Sequence, residues 1–178
     1  MQTNDWTKRS ELMALFTDVF GYERFTFRDI RQISYSNHDV ESLEDALAFV
    51  GIPWTDITPL MLKKHFEAFS FFTNFAFLVY APALISCSLQ DANTTHLSIE
   101  VFLNTLLETK DLQALNTLNS ERWRQFSRSQ LELIASWIND SNAEFLKYFE
   151  RDEIAKFSKC LAELVHQATE FEKQWPQR

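Results

Sequence analysis

His65 and Glu67 stand two residues apart, and Cys160 and His166 stand six apart. An imidazole beside a carboxylate or a thiol is the raw material of general-base or nucleophilic chemistry, provided the groups meet. Helix neighbours are three or four residues apart, so a spacing of two splits His65 from Glu67, and a spacing of six is poor for contact. The other histidines, His38 and His96, are scattered. No Cys-x-x-Cys, His-x-His or His-Glu-x-x-His spacing occurs, so no metal site is expected. Glycine occurs only at 21 and 51, which leaves no phosphate-cradling loop. The adjacent acids Glu44-Asp45 and Asp152-Glu153 read as solvated helix surface. The expectation is a protein without catalytic residues, cofactor or metal.

Arg122, Arg124 and Arg128, interleaved with Trp123 and Phe126, have the make-up of a small nucleic-acid patch. The net charge of −8 opposes that use, because binding a phosphate backbone needs clustered bases. The acid excess is local. Residues 38–70 hold six acids against two bases and residues 71–120 four against one, while residues 121–178 are close to neutral. An acidic middle suits a basic protein partner.

The elements that would position these residues read as helices. Two glycines and four prolines in 178 residues leave little material for hairpins, so the expected fold is all-α or mainly α. The expected form is a compact multi-helix bundle with short loops, one domain over 1–178, with 109–126 as an internal connecting segment. Leu12, Leu15, Phe16, Val19 and Phe20 predict a helix over 5–20, ended by Gly21. Residues 22–37 are ambiguous between a short strand and irregular packing. Val40, Leu43, Ala46, Leu47 and Val50 predict a helix with Glu41, Glu44, Asp45 and Ala48 on its outer face, ended by Gly51. The stretch IPWTDI is a loop, and Thr58-Pro59 opens a helix expected to reach Phe69 and to bury Leu62, Phe66 and Phe69. In the loop, Asp56 is expected to accept backbone N–H bonds at the start of that helix, with Trp54 as a lid on the core. Leu97, Val101, Phe102 and Leu106 form a further stripe. Ser127 and Gln130 fit a capping box before Leu131, Ile134, Ala135 and Ile138. A long amphipathic helix then runs from Ile154 through Phe171 towards Trp175. Cys87 and Cys160 lie in apolar patterns and read as reduced core thiols.

Residues 68–90 carry no charge and include Phe69, Phe71, Phe72, Phe75, Phe77 and Tyr80. A membrane span needs about 20 mainly apolar residues in one helix. Thr73-Asn74 interrupts this run, Pro82 is expected to break it, and no positive cluster flanks it. Two short core helices, 74–81 and 82–90, are expected, with Phe71, Phe72, Phe77 and Pro82 mostly buried. The chain opens on polar MQTNDWTKRSELM, so a cytoplasmic protein is expected.

Trp54 and Asp56, then a helix, then Ser70, Phe71, Phe72, Thr73, Ala76, Phe77, Tyr80, Pro82 and Ala83 resemble the signature of an uncharacterised bacterial domain family. The sequence departs from that signature at Asn74-Phe75 and Leu78. The resemblance implies no reaction and no catalytic residue. As a small, acidic, helix-rich chain without catalytic motifs, this protein is also similar in type to immunity proteins, which bind and block a toxic effector. The expected function is therefore binding of a basic effector, with Glu41, Glu44, Asp45, Trp54 and Asp56 as the partner-binding residues, and with neither nucleic acid nor membrane as partner. An adaptor or homodimeric scaffold is the alternative, and an enzyme with an unrecognised site the second. A toxin-like neighbouring reading frame, a stable homodimer and a bound small ligand, respectively, would separate the three.

Overall fold

The scarcity of turn residues and the 3.6-residue patterns are realised as helices. The computed structural model describes residues 45, 48–49, 51–72, 74–107 and 118–174; among them the regular structure is helical and no strand occurs, so the protein is mainly α. The expected helix over 5–20, the segment 22–37, most of the helix ending near Val50, residues 109–117 of the expected connecting segment and Trp175 lie outside the described residues. The chain forms two compact units, Met1–Phe102 and Leu103–Arg178.

In the first unit, Thr58 and Pro59 start helix α1 (Pro59–Lys64) as the sequence predicts, the Thr58 hydroxyl accepting from the Met61 N–H at 3.3 Å. The helix does not reach Phe69. His65 leaves helical geometry (φ −119°, ψ 47°), residues 65–67 turn, and a short α2 (Ala68–Phe71) follows. The stop falls where the His65 ring bonds Asp45, twenty residues upstream, at 2.8 Å. A distant partner overrides the local pattern, and Phe66 is only half-buried as a result.

Helix α3 (Asn74–Gln90) is the second departure. It is one continuous helix with Pro82 inside, where a break was expected. Proline removes one N–H and crowds the preceding turn, at about 3 kcal/mol in an ordinary helix interior. Here Val79 to Ser88 are all buried. Fraying the helix in that setting would strand more backbone groups away from water than the single bond lost at Pro82. Burial on all sides also explains why the run shows no polar stripe.

The aromatic run resolves into core. Phe69 meets Phe72 edge-on at 5.1 Å and Phe102 at 5.4 Å, and Phe77 stacks on Phe102 at 4.9 Å. Phe71, Phe72, Phe77 and Pro82 are buried. Among the described residues no helix is long and apolar enough to cross a membrane. A tight corner leads into α4 (Ala92–Leu107), where Asp91 accepts from the Thr94 N–H at 3.0 Å and from its hydroxyl at 2.6 Å. The buried stripe is Thr95, Ser98, Ile99, Phe102, Leu103 and Leu106. Leu97, expected inside, is 37% exposed.

In the second unit, α5 (Leu118–Trp123) falls within the expected connecting segment, and Trp123 donates from its buried ring N–H to Thr105 Oγ1 at 3.0 Å. Ser127 and Gln130 form the expected capping box at the head of α6 (Arg128–Asp140). Trp137 is buried in that helix and Ala135 only half-buried, a phase shift from the predicted stripe. After α7 (Asn142–Phe145) the chain enters α8 (Arg151–Gln174), which packs along α6. Glu172, near the end of α8, acts on Arg128, at the start of α6, so the two helices run antiparallel. Trp137, Phe145, Phe149 and Phe157 form a chain of edge-to-face rings at 5.2, 5.9 and 5.7 Å. Ile154, Phe157, Leu161 and Leu164 are buried on α8, but Phe171, assigned to the same stripe from sequence, is 66% exposed.

Candidate functional site

Gly51 has φ +75°, which suits the residue without a side chain, and the Ile52 N–H closes a turn on the Phe49 carbonyl at 3.1 Å. From there residues 51–58 form a loop around one 3-10 turn, Trp54–Asp56, held internally by Asp56 N–H to Pro53 and Ile57 N–H to Trp54. The loop is fastened from behind by α3. The buried Tyr80 hydroxyl lies within bonding reach of the Phe49 carbonyl and, at 3.0 Å, of the Ile52 carbonyl. Burial pushes the Tyr80 phenol well above its ordinary range, so it remains a proton donor. The Cys87 thiol donates to the Ile57 carbonyl at 3.3 Å. Trp54 and Ile57 are buried, so the loop's inner side belongs to the core. Its outer side carries exposed Asp56 and Thr58, and Leu60 just inside α1 is 72% exposed.

Trp54 thus lies over the core as the lid the sequence predicts. Asp56 does not cap the helix: its carboxylate accepts from the neighbouring Thr55 hydroxyl at 3.3 Å and faces solvent, and Thr58 holds the cap. The reason is local supply, since a threonine directly before Pro59 satisfies the N–H that a more distant carboxylate would otherwise serve. Glu41 and Glu44 lie outside the described residues.

Asp45 departs from the solvated face assigned to it. Its carboxylate and the His65 ring are both half-buried, 2.8 Å apart, and Phe49, one turn further on, is fully buried against the His65 ring at 6.3 Å. A carboxylate only accepts, so Nδ1 of His65 carries the shared proton and Nε2 faces away from the pair. An oriented Asp–His pair is two thirds of a nucleophilic triad. Among the described residues no hydroxyl or thiol bonds Nε2, and no three His, Cys, Asp or Glu side chains converge on one point.

The arginine set does not form a surface patch. Arg122, Trp123 and Phe126 are buried, and Arg128 is tied to Glu132 at 2.8 Å. Three further pairs, Lys147–Glu144, Lys156–Asp152 and Lys173–Glu170, lie one helical turn apart on exposed faces of the second unit. The hydrogen bond from Lys156 holds the Asp152 carboxyl below its usual value, and that from Lys173 does the same for Glu170. These faces are laced with opposite charges and project little net field.

Sequence reasoning passed over His65, Leu60, Phe49, Tyr80 and Cys87 as parts of this site. One signal was available for the last two. Tyr80 and Cys87 are seven residues apart, two turns of one helix face, and they place a hydroxyl and a thiol on that face of an uncharged run. A buried tyrosine hydroxyl needs a partner.

These features define a mainly α protein whose first unit holds a short loop rigidly from its core and turns the loop's polar tip to solvent. By sequence, the chain belongs to the family of unknown function DUF6714, whose pattern matches residues 9–157. That span includes both 54–83 and the capping-box helix. No curated protein and no solved structure matches the chain.

Proposed function

We propose that this chain is a non-enzymatic, toxin-neutralising protein of the immunity type, which binds a cognate bacterial effector through the loop 51–60 and its acidic flank. One observation carries the reading: the loop is anchored at Tyr80, Trp54 and Cys87 while Asp56 and Leu60 stand exposed. A loop already in shape loses little freedom on docking, which improves affinity without added contacts. Leu60 supplies an apolar contact and Asp56 a charge for a basic partner. Glu41 and Glu44, assigned to the partner-binding set from sequence, come from the part of the chain where acids outnumber bases. Asp45 does not belong to it, because its carboxylate is engaged by His65.

The test is capture from the native cell followed by an activity assay on what is captured. The expected partner is toxic alone and is silenced by this protein. Asp56→Lys and Leu60→Asp should each weaken capture and protection while leaving the melting temperature near the parent's, since both side chains are exposed. The Asp56 effect should fall mainly on association rate and shrink at high salt. A captured partner that keeps its activity, or two folded variants that protect as well as the parent, would transfer support to the adaptor reading.

A further inference from the structure

We propose that Tyr80 and Cys87 are positioning residues, which hold the loop 51–58 in its partner-ready shape by donating hydrogen bonds to loop carbonyls from one face of α3. The inference rests on the binding reading of that loop and says how the surface is built.

The first argument is chemical. Both side chains lie on the buried part of α3: Val79, Ala81, Leu84 and Ile85 around them are apolar, and Ser86 and Ser88, which flank Cys87, are buried hydroxyls. Phenylalanine at 80 and alanine at 87 would fill nearly the same space. What tyrosine and cysteine add is an O–H and an S–H, and both reach backbone carbonyls of the loop or, for Tyr80, of Phe49 just before it as well. Tyr80 reaches the Phe49 and Ile52 carbonyls, and Cys87 reaches the Ile57 carbonyl.

The second argument is geometric. Seven residues along a helix advance by about 10 Å. The two anchor points therefore stand about 10 Å apart and take the loop on either side of its 3-10 turn, Trp54–Asp56. Between them the buried Trp54 closes the inner side. Among the described residues the loop has no strand neighbour and its own backbone bonds are single-turn ones, so side chains of α3 stand in for a ladder. The exposed Asp56 lies between the two anchors and takes its direction from both.

The test is local amide exchange on the full chain, with Tyr80→Phe, Cys87→Ala and Cys87→Ser. Tyr80→Phe should speed exchange of the Ile52 amide, and Cys87→Ala that of the Ile57 amide, by about tenfold, the size expected when a buried carbonyl loses its donor. Amides of α6 and α8 should keep their rates. Cys87→Ser restores a donor of similar size and should return the Ile57 amide to the parent rate, which a space-filling role would not require. Unchanged loop amides would overturn the proposal. So would acceleration spread evenly through α3 and α4, or a serine variant that behaves like alanine. With the captured partner, Tyr80→Phe should weaken binding about tenfold. Loosened loop amides with unchanged affinity would overturn the partner-ready role. If Asp56→Lys also bound unchanged in that case, the failure would lie with the loop as the binding surface.

Discussion

Truncating Phe77 to alanine removes a fully buried ring that stacks on Phe102 at 4.9 Å and meets Phe69 edge-on at 5.9 Å. Loss of a buried phenylalanine costs about 3–5 kcal/mol, made up of lost transfer energy and the cavity left behind. The upper part of that range applies here. Both neighbours are themselves fully buried rings, each held by further ring contacts, so the site has little freedom to collapse. For a chain of this length each kcal/mol lowers Tm by about 2–4 °C, so the expected fall is roughly 8–20 °C. The assay is thermal unfolding followed by far-ultraviolet circular dichroism, with urea titration for the free energy. Phe171→Ala is the control: the same deletion at a 66% exposed position should change stability by no more than about 0.5 kcal/mol. A Phe77→Ala protein melting within a degree or two of the parent would refute the assignment of residues 68–90 to the core. If it also lost partner capture, that segment would have to be read as a binding surface.

Ser127→Ala removes one arm of the capping box and should destabilise by about 0.5–2 kcal/mol in urea, with Ser127→Asp restoring most of it. The bonds from the Thr94 hydroxyl and backbone N–H hold the Asp91 carboxyl below its ordinary value. A depressed folded-state pKa adds stability that is complete above the unfolded value, about 4, and is lost as pH falls through the folded one. Urea midpoints measured from pH 6 down to pH 2 should therefore fall less steeply for Asp91→Asn, which keeps a capping oxygen without a titrating group. Lys156→Ala breaks an exposed pair with Asp152 and should leave Tm unchanged within error, at low and moderate salt alike. A shift of several degrees there would mean that the ion-paired face of α8 is not simply solvated.

How much of the site was legible follows the range over which each signal acts. The Thr58 and Ser127 caps are bonds between a side chain and its own backbone three residues on, so residue type and spacing alone located them. Gly51 was legible for the same reason, because a turn that needs positive φ selects glycine. Trp54 as a lid followed from a large apolar ring in a short loop, where the ring needs cover from the core. Asp45 was misread because periodicity assigns an acid to solvent unless a partner is known, and its partner is twenty residues away.

By itself the sequence determined that the protein is helical, that its uncharged stretch is core and that its helices begin at Pro59 and Arg128. Each of these depends on pattern, propensity and contacts within one turn. Only the tertiary structure decided that α1 stops at Lys64, that α3 runs through Pro82, and that Tyr80 and Cys87 face one loop. Those outcomes turn on which groups are buried against which. A half-buried carboxylate that captures His65 outweighs helix continuation, and a surrounding apolar core outweighs the bond that proline cannot make. Such balances are set between segments far apart in the chain, where no local spacing records them.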